Sequence, residues 1–96
     1  MSELGQIIDE LYEVVQARKN DPKDGSYTNY LFDKGIDKIC KKIGEESTEV
    51  VIAAKNGSKS ELVYETADLI YHLLVLLGEM DVTPTEVYEE LKKRRG

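Results

Sequence analysis

The sequence predicts an all-α domain. Apolar residues recur at helical spacing through most of the chain, turn-forming residues separate the periodic stretches, and no segment alternates polar and apolar residues as a half-buried strand would. Of the 96 residues, 41% are hydrophobic and 33% are charged, a composition typical of an ordered globular chain. Because no internal repeat or linker divides the sequence, we expect residues 1–96 to form a single domain.

The first predicted elements are an amphipathic helix, a loop and a short helix. Apolar residues at helical spacing extend from Glu3 to Lys19, with acids and Gln at the other positions. The segment from Asn20 to Ser26 is dense in turn formers and separates this helix from the next. Residues 27–33 are expected to form a short helix that begins at Thr28.

Two long helices and a final short helix follow. A helical pattern leads from Gly35 to Asn56, and Gly57 supplies a C-terminal cap. The capping-box sequence at residues 58–61 opens a second long helix that ends near Leu77. A second capping box, with proline at the first helical position, precedes the last helix. We expect the two long helices to pack as an antiparallel pair with the other helices around them.

Composition and charge argue against several classes of protein. The net charge of −6 disfavours a general nucleic-acid binder, which needs a surplus of Lys and Arg. The longest apolar stretch, residues 67–77, is too short to span a bilayer, so no membrane partner is expected. Cys40 cannot form an intramolecular disulfide, and residues 1–5 lack a signal-peptide pattern. We therefore expect a cytoplasmic protein.

Two acidic clusters lie in stretches whose pattern otherwise predicts buried helix. An ionised carboxylate buried without a partner is very costly. On a helical wheel Glu46 falls inside the apolar arc of the first long helix, and Glu49 lies at its edge one turn away. If the two long helices pack side by side, Glu46 and Glu49 can face Glu65 and Asp68. The four side chains would then form an all-oxygen cage. Such a cage suits Mg²⁺ or Mn²⁺ better than Zn²⁺, and Mg²⁺ implies phosphate chemistry on a nucleotide.

Two other side chains, His72 and Lys42, admit more than one interpretation. His72, one turn after Asp68, could orient that carboxylate or be a core histidine satisfied by it, and the core role is preferred. Lys42 could contact phosphate or pair with Glu49. Cys40 is expected in the apolar arc as a small hydrophobe without a catalytic role.

The second long helix is apolar over most of its circumference, a pattern typical of a helix within a core. A chain of 96 residues has little protein with which to surround such a helix. We therefore predict a homodimer built on this helix.

The acidic segments resemble a known family. Residues 42–55, Lys-Ile-Gly-Glu-Glu-Ser-Thr-Glu-Val-Val-Ile-Ala-Ala-Lys, and residues 65–75, Glu-Thr-Ala-Asp-Leu-Ile-Tyr-His-Leu-Leu-Val, are similar to phosphoribosyl-ATP pyrophosphatase. This is the HisE branch of the MazG-like all-α nucleotide pyrophosphatases. The likeness extends to residues 18–19 and 26–28 and departs slightly at Ser47, where alanine would be familiar. We expect a free-standing enzyme without a fused cyclohydrolase domain.

The resemblance implies a MazG-like bundle that hydrolyses phosphoribosyl-ATP to phosphoribosyl-AMP and pyrophosphate, the second step of histidine biosynthesis. It also implies Mg²⁺ held by the acids, with Glu46, Glu49, Glu65 and Asp68 preferred as direct ligands. Glu45 lies farther from the apolar arc and is expected to orient a ligand, bind a metal-bound water or act as the base. The candidate catalytic residues are Glu45, Glu46 and Glu49. The candidate substrate-binding residues are Arg18, Lys19, Ser26, Tyr27, Thr28, Lys42 and His72.

Three alternatives stay open on the sequence alone. A MazG-like house-cleaning enzyme would use the same chemistry on ordinary or damaged nucleoside triphosphates. A non-enzymatic helical adaptor would use the acids only for solvation or for binding a partner. A di-iron carboxylate bundle is disfavoured because such sites use Glu-x-x-His pairs, and Asp68 stands where that histidine would be.

Overall fold

The computed structural model describes residues 2–96 and, over that range, contains five helices and no strand. The helices are α1 (Ser2–Asn20), α2 (Tyr27–Lys34), α3 (Ile36–Lys55), α4 (Lys59–Glu79) and α5 (Pro84–Arg94). The all-α prediction is confirmed. Met1 belongs to the predicted single domain but lies outside the described residues. None of the helices in residues 2–96 combines the length and apolar character that a bilayer span requires.

The centre of the fold is the antiparallel pair formed by α3 and α4. Only residues 56–58 separate these helices, so the chain reverses and the two pack along their length. The α1 helix lies against α4, while the short α2 helix bridges α1 and α3. The core consists of Val15, Leu31, Ile39, Leu74 and Val75.

The short helix α2 begins two positions earlier than the predicted cap at Thr28 requires. Ser26 is the N-cap, and its hydroxyl accepts a hydrogen bond from the backbone N–H of Asn29 at 3.3 Å. Thr28 instead lies buried in the first turn, where its hydroxyl is hydrogen-bonded to the hydroxyl of Tyr71 on α4. A tertiary hydrogen bond therefore occupies the side chain that local sequence marked as a cap.

The turn between α3 and α4 depends on Gly57, as predicted. Its φ of +70° lies in the left-handed region, which glycine enters without steric cost. The capping box predicted after it forms only in part. The Ser58 hydroxyl accepts from the Glu61 N–H at 3.2 Å, but the Ser58 N–H donates to the carbonyl of Ala53 at 3.3 Å. The turn thus satisfies the donor that the Glu61 carboxylate would otherwise take.

The capping box before α5 is complete, as predicted. Thr83 donates its backbone N–H to the Glu86 carboxylate at 2.8 Å and accepts the Glu86 N–H at 3.3 Å. Pro84 occupies the first helical position, where no N–H is needed.

Helix α4 passes through Gly78 and ends at Glu79, two residues beyond the predicted end. Gly78 is buried against α1, and a Cβ atom there would lie 2.9 Å from Cγ1 of Val15. The glycine is therefore required by the close approach of two helices rather than by a helix end.

Cys40 is exposed, so its predicted place in the apolar arc of α3 is wrong. The buried face of α3 is centred on Ile39, Glu46 and Ala53, which recur every seven residues. Cys40 follows Ile39 by about 100° of rotation and faces solvent.

Candidate metal centre

Four carboxylates meet where α3 and α4 face each other. Glu46 and Glu49 project from α3, and Glu65 and Asp68 project from α4. Each contributes one oxygen to a group in which all the oxygens lie within 4.8 Å of one another. The antiparallel packing places the i, i+3 pair of one helix opposite the i, i+3 pair of the other. The structure thus brings together the four residues that the sequence pattern selected as ligands.

Two oxygens of this cluster are buried without a hydrogen-bond partner. Glu46 is only 4% exposed, because it shares the buried face of α3 with Ile39 and Ala53. Its Oε2 atom and the Oε1 atom of Glu65 have no donor among the described residues. Unsatisfied buried acceptors are costly, and four neighbouring carboxylates also repel one another. A divalent cation would relieve both costs, so the donor set fits a metal site.

The pKa values of Glu46 and Glu65 are raised, as expected for carboxylates that are crowded together away from water. Burial raises the pKa of Glu46 to about 7, and hydrogen bonding and like charge from Asp68 and Glu49 add to the effect. Burial also raises the pKa of Glu65, with further contributions from Glu49, Asp68 and Glu61. Without a cation, Glu46 is therefore about half protonated at pH 7.

Lys42 and Glu45 lie beside the cluster rather than in it. The Nζ atom of Lys42 is 3.3 Å from Oε1 of Glu45 and 3.6 Å from Oε1 of Glu46. Lys42 therefore pairs with these two acids and not with Glu49. The Glu45 side chain is 47% exposed, so its carboxylate is accessible to a ligand or a water molecule.

His72 is a buried link between the cluster and α2. Its Nδ1 atom is 2.8 Å from the backbone carbonyl of Asp68, and its Nε2 atom is 2.8 Å from the hydroxyl of Tyr27. Because a carbonyl can only accept, Nδ1 carries the proton and Nε2 accepts from the tyrosine. A ring nitrogen also lies within 4.8 Å of oxygens of Glu46 and Asp68. With both nitrogens engaged, His72 corresponds to the core histidine that the sequence favoured.

Tyr27 has its hydroxyl close to the acids. Burial raises its pKa, Lys42 lowers it, and the charges of Asp68 and Glu46 raise it further. Ser26, the α2 cap, and Tyr27 also line an open cavity of about 480 Å³ at the loop before α2. Tyr27 therefore lies beside the carboxylates and Ser26 lies on the cavity wall, whereas the Thr28 side chain is buried against Tyr71.

Arg18 and Lys19 lie at the C-terminal end of α1. The Lys19 Nζ atom donates to the carbonyl of Gly78 at 2.8 Å and to Asp81 at 3.0 Å. Gly78 lies roughly 15 Å along α4 from Asp68, at 1.5 Å per residue. Lys19 thus caps the far end of α4, and the structure does not bring it to the carboxylates.

The sequence did not predict a role for Asn29, whose side chain forms hydrogen bonds that hold the loop before α2 in place. Its Nδ2 atom donates to the Arg18 carbonyl at 2.6 Å, and its Oδ1 atom accepts from the Lys23 N–H at 2.8 Å. The side chain is buried and holds the end of α1, the loop and α2 together. The available signal was an asparagine in a first helical turn, where this residue commonly bonds to backbone.

The chain is similar to known proteins over nearly its whole length. Residues 8–95 match the family described as phosphoribosyl-ATP pyrophosphohydrolase. The chain is 60% identical over 91 residues to the phosphoribosyl-ATP pyrophosphatase of Limosilactobacillus fermentum, covering 95% of this chain and 86% of that protein. It is 55% identical over 96 residues to that of Geobacter sulfurreducens, covering 100% and 89%.

A third relative is longer. The chain is 62% identical over 89 residues to the histidine biosynthesis bifunctional protein HisIE of Caldanaerobacter subterraneus, covering 93% of this chain. It spans only 43% of that bifunctional protein.

Proposed function

This chain belongs to the phosphoribosyl-ATP pyrophosphohydrolase family, and on that premise we propose that it hydrolyses the α–β phosphoanhydride of phosphoribosyl-ATP. The products are phosphoribosyl-AMP and pyrophosphate, which makes this the second step of histidine biosynthesis. The resemblance seen in residues 42–55 and 65–75 is thereby confirmed. The observation that carries the proposal is the cluster of four carboxylates with two unsatisfied buried oxygens.

The cation that the cluster would hold is Mg²⁺, with Mn²⁺ as a possible substitute. Carboxylate oxygens are the donors that both ions prefer. Glu46, Glu49, Glu65 and Asp68 would be its protein ligands. When bound, Mg²⁺ would neutralise charge on the substrate phosphates and on the departing pyrophosphate.

Glu45 is the proposed base. Its carboxylate lies outside the cluster, is accessible, and is held by Lys42 at 3.3 Å. It would take a proton from the attacking water as the water oxygen bonds to phosphorus and the anhydride P–O bond breaks. The pyrophosphate takes the bond's electron pair, so no covalent nucleophile is required. Glu46 and Glu49 act in the same reaction by fixing the metal from α3.

The proposed substrate contacts divide into two groups. Ser26, Tyr27 and Lys42 lie beside the carboxylates or line the neighbouring cavity, so they can touch the nucleotide directly. Thr28 and His72 are buried and would act by holding Tyr71 and Tyr27 in place.

Arg18 and Lys19 are proposed to meet the ribosyl phosphate from the end of α1. Lys19 would first have to leave its contacts with Gly78 and Asp81. That requirement makes Arg18 the better placed of the two.

We also propose a homodimer built on α4. Val63 and Tyr64 on this helix are each 70% exposed, and Val51 on the neighbouring α3 is 59% exposed. Large apolar side chains exposed on neighbouring helices of a small chain are typical of an interface. Light scattering during size-exclusion chromatography tests this. The cytoplasmic location and the lack of nucleic-acid or membrane partners stay predictions.

The decisive assay is pyrophosphate release from phosphoribosyl-ATP, compared with ATP and the deoxynucleoside triphosphates, in Mg²⁺ and in EDTA. Release that is selective for phosphoribosyl-ATP and abolished by EDTA is expected. A preference for ordinary triphosphates would indicate a house-cleaning enzyme instead. No release from any of these would favour the adaptor.

A further inference from the structure

Two exposed tyrosines, Tyr27 and Tyr30, form a stacked pair, and only Tyr27 has a part in the proposed reaction so far. The rings of Tyr27 and Tyr30 have centroids 6.1 Å apart and planes inclined by 25°. They are 46% and 42% exposed, respectively. Both line the open cavity of about 480 Å³ at the start of α2, together with the loop of residues 22–26. The pair therefore presents an aromatic surface to a space large enough for a ligand.

This surface adjoins the carboxylate cluster. The Tyr27 hydroxyl donates to His72, and His72 donates to the Asp68 carbonyl, each over 2.8 Å. One buried histidine thus separates Tyr27 from a residue that supplies a carboxylate to the cluster. The charges of Asp68 and Glu46 also act on the Tyr27 hydroxyl, so the tyrosine pair lies close to the acids.

The charges around the pair define the chemistry that it can accept. The ammonium groups of Lys34 and Lys38 each lie 5.8 Å from the centre of the Tyr30 ring, although the chain carries a net charge of −6. Asp24 and Asp33 lie on the cavity wall and can accept from hydroxyl or amino groups. Exposed aromatic rings with two mobile ammonium groups over one of them, and acceptors on the cavity wall, suit a purine ring that carries sugar and phosphate groups.

We propose that Tyr27 and Tyr30 form a shelf on which the purine ring of the nucleotide substrate stacks, while its triphosphate extends to the four carboxylates. This inference rests on the proposed function, which supplies a nucleotide as the ligand. Lys34 and Lys38 place positive charge beside the Tyr30 ring, which favours an anionic ligand there. Stacking on an aromatic ring is favourable for every base, so the shelf provides affinity, and the surrounding polar groups provide selectivity.

The test is calorimetric titration of the full chain with AMP in EDTA, since AMP carries the purine ring and needs no metal. The Tyr30→Ala variant should bind AMP about tenfold more weakly than wild type, and Tyr30→Phe should stay within about twofold because the ring is kept. Tyr88→Ala is the matched control, because Tyr88 is 55% exposed and has the ammonium group of Lys92 5.4 Å from its ring centre. It should bind as wild type does.

Steady-state turnover of phosphoribosyl-ATP gives a second measurement. Tyr30→Ala should raise KM about tenfold and leave kcat within about twofold, as loss of uniform binding requires. No AMP binding by wild type, or equal AMP affinity and KM in wild type and Tyr30→Ala, would overturn the shelf and leave hydrolysis standing. AMP binding that depends on Tyr30, in a wild type that does not hydrolyse phosphoribosyl-ATP, would overturn the proposed function instead.

Discussion

Protons and the metal ion should compete for the same carboxylate, so the affinity for Mg²⁺ should fall as the pH falls. The pKa of Glu46 is raised to about 7, first by burial and then by its acidic neighbours Asp68 and Glu49. A metal binds the ionised carboxylate, and binding must therefore displace any proton that the cluster holds. This places the pH dependence in the physiological range, where an ordinary glutamate is fully ionised.

The size of the effect follows from the position of that pKa. With a value of about 7, Glu46 is about nine-tenths ionised at pH 8 and about one-tenth ionised at pH 6. The apparent dissociation constant of Mg²⁺ should therefore be about tenfold higher at pH 6 than at pH 8. The raised pKa of Glu65 acts in the same direction.

Calorimetric titration of EDTA-treated protein with Mg²⁺ at pH 6, 7 and 8 measures this change. Two buffers with different ionisation enthalpies report the protons released, about half of one from Glu46 at pH 7. Glu46→Gln should bind Mg²⁺ more weakly at pH 8 and lose most of the pH dependence. Glu10→Gln, an exposed substitution on α1, should leave both unchanged. An affinity that is equal at pH 6 and pH 8, or higher at pH 6, would refute the reasoning.

Other predictions concern the scaffold around the site and are measured by denaturant unfolding. Gly78→Ala should destabilise the fold by about 1–2 kcal/mol, because the clash with Val15 outweighs the gain in helix propensity. Gly44→Ala adds a Cβ atom with no neighbour within 4 Å and should stabilise the fold by about 0.5–1 kcal/mol. Equal changes in the free energy of unfolding for Gly78→Ala and Gly44→Ala would contradict the packing argument. Asn29→Ala removes two hydrogen bonds that tie down the loop and should cost about 2 kcal/mol. Thr83→Ala removes the cap of α5 and should cost about 1 kcal/mol; an unchanged stability would count against that cap.

Periodicity and turn chemistry predicted the helices because those signals are local. Gly57 and the Thr83 capping box behave as predicted, since neighbouring backbone groups alone determine their geometry. Errors arose where a distant contact decides the outcome. The Thr28 hydroxyl bonds to Tyr71 on another helix instead of capping its own helix.

The acids of the candidate site could be selected from sequence because their positions conflict with the apolar pattern around them. Glu46 on a buried helical face needs an explanation wherever its helix packs. The partners of Lys42 and the role of Asn29 could not be predicted, because they depend on side-chain packing in the folded protein. The tyrosine pair likewise could not be predicted as a binding surface, because the folded loop before α2 forms part of the cavity beside it.

The central claim is that carboxylates from α3 and α4 together support metal-dependent hydrolysis, and Glu49→Gln tests it most directly. Glu49 is exposed, so the substitution should leave the core intact while removing one of the four clustered charges. Mg²⁺-dependent pyrophosphate release from phosphoribosyl-ATP should fall by about 100-fold or more, since even residues that only support metal ligands cost 10- to 100-fold when changed. Glu10→Gln should retain wild-type turnover. Full Mg²⁺-dependent turnover by folded Glu49→Gln would contradict the claim.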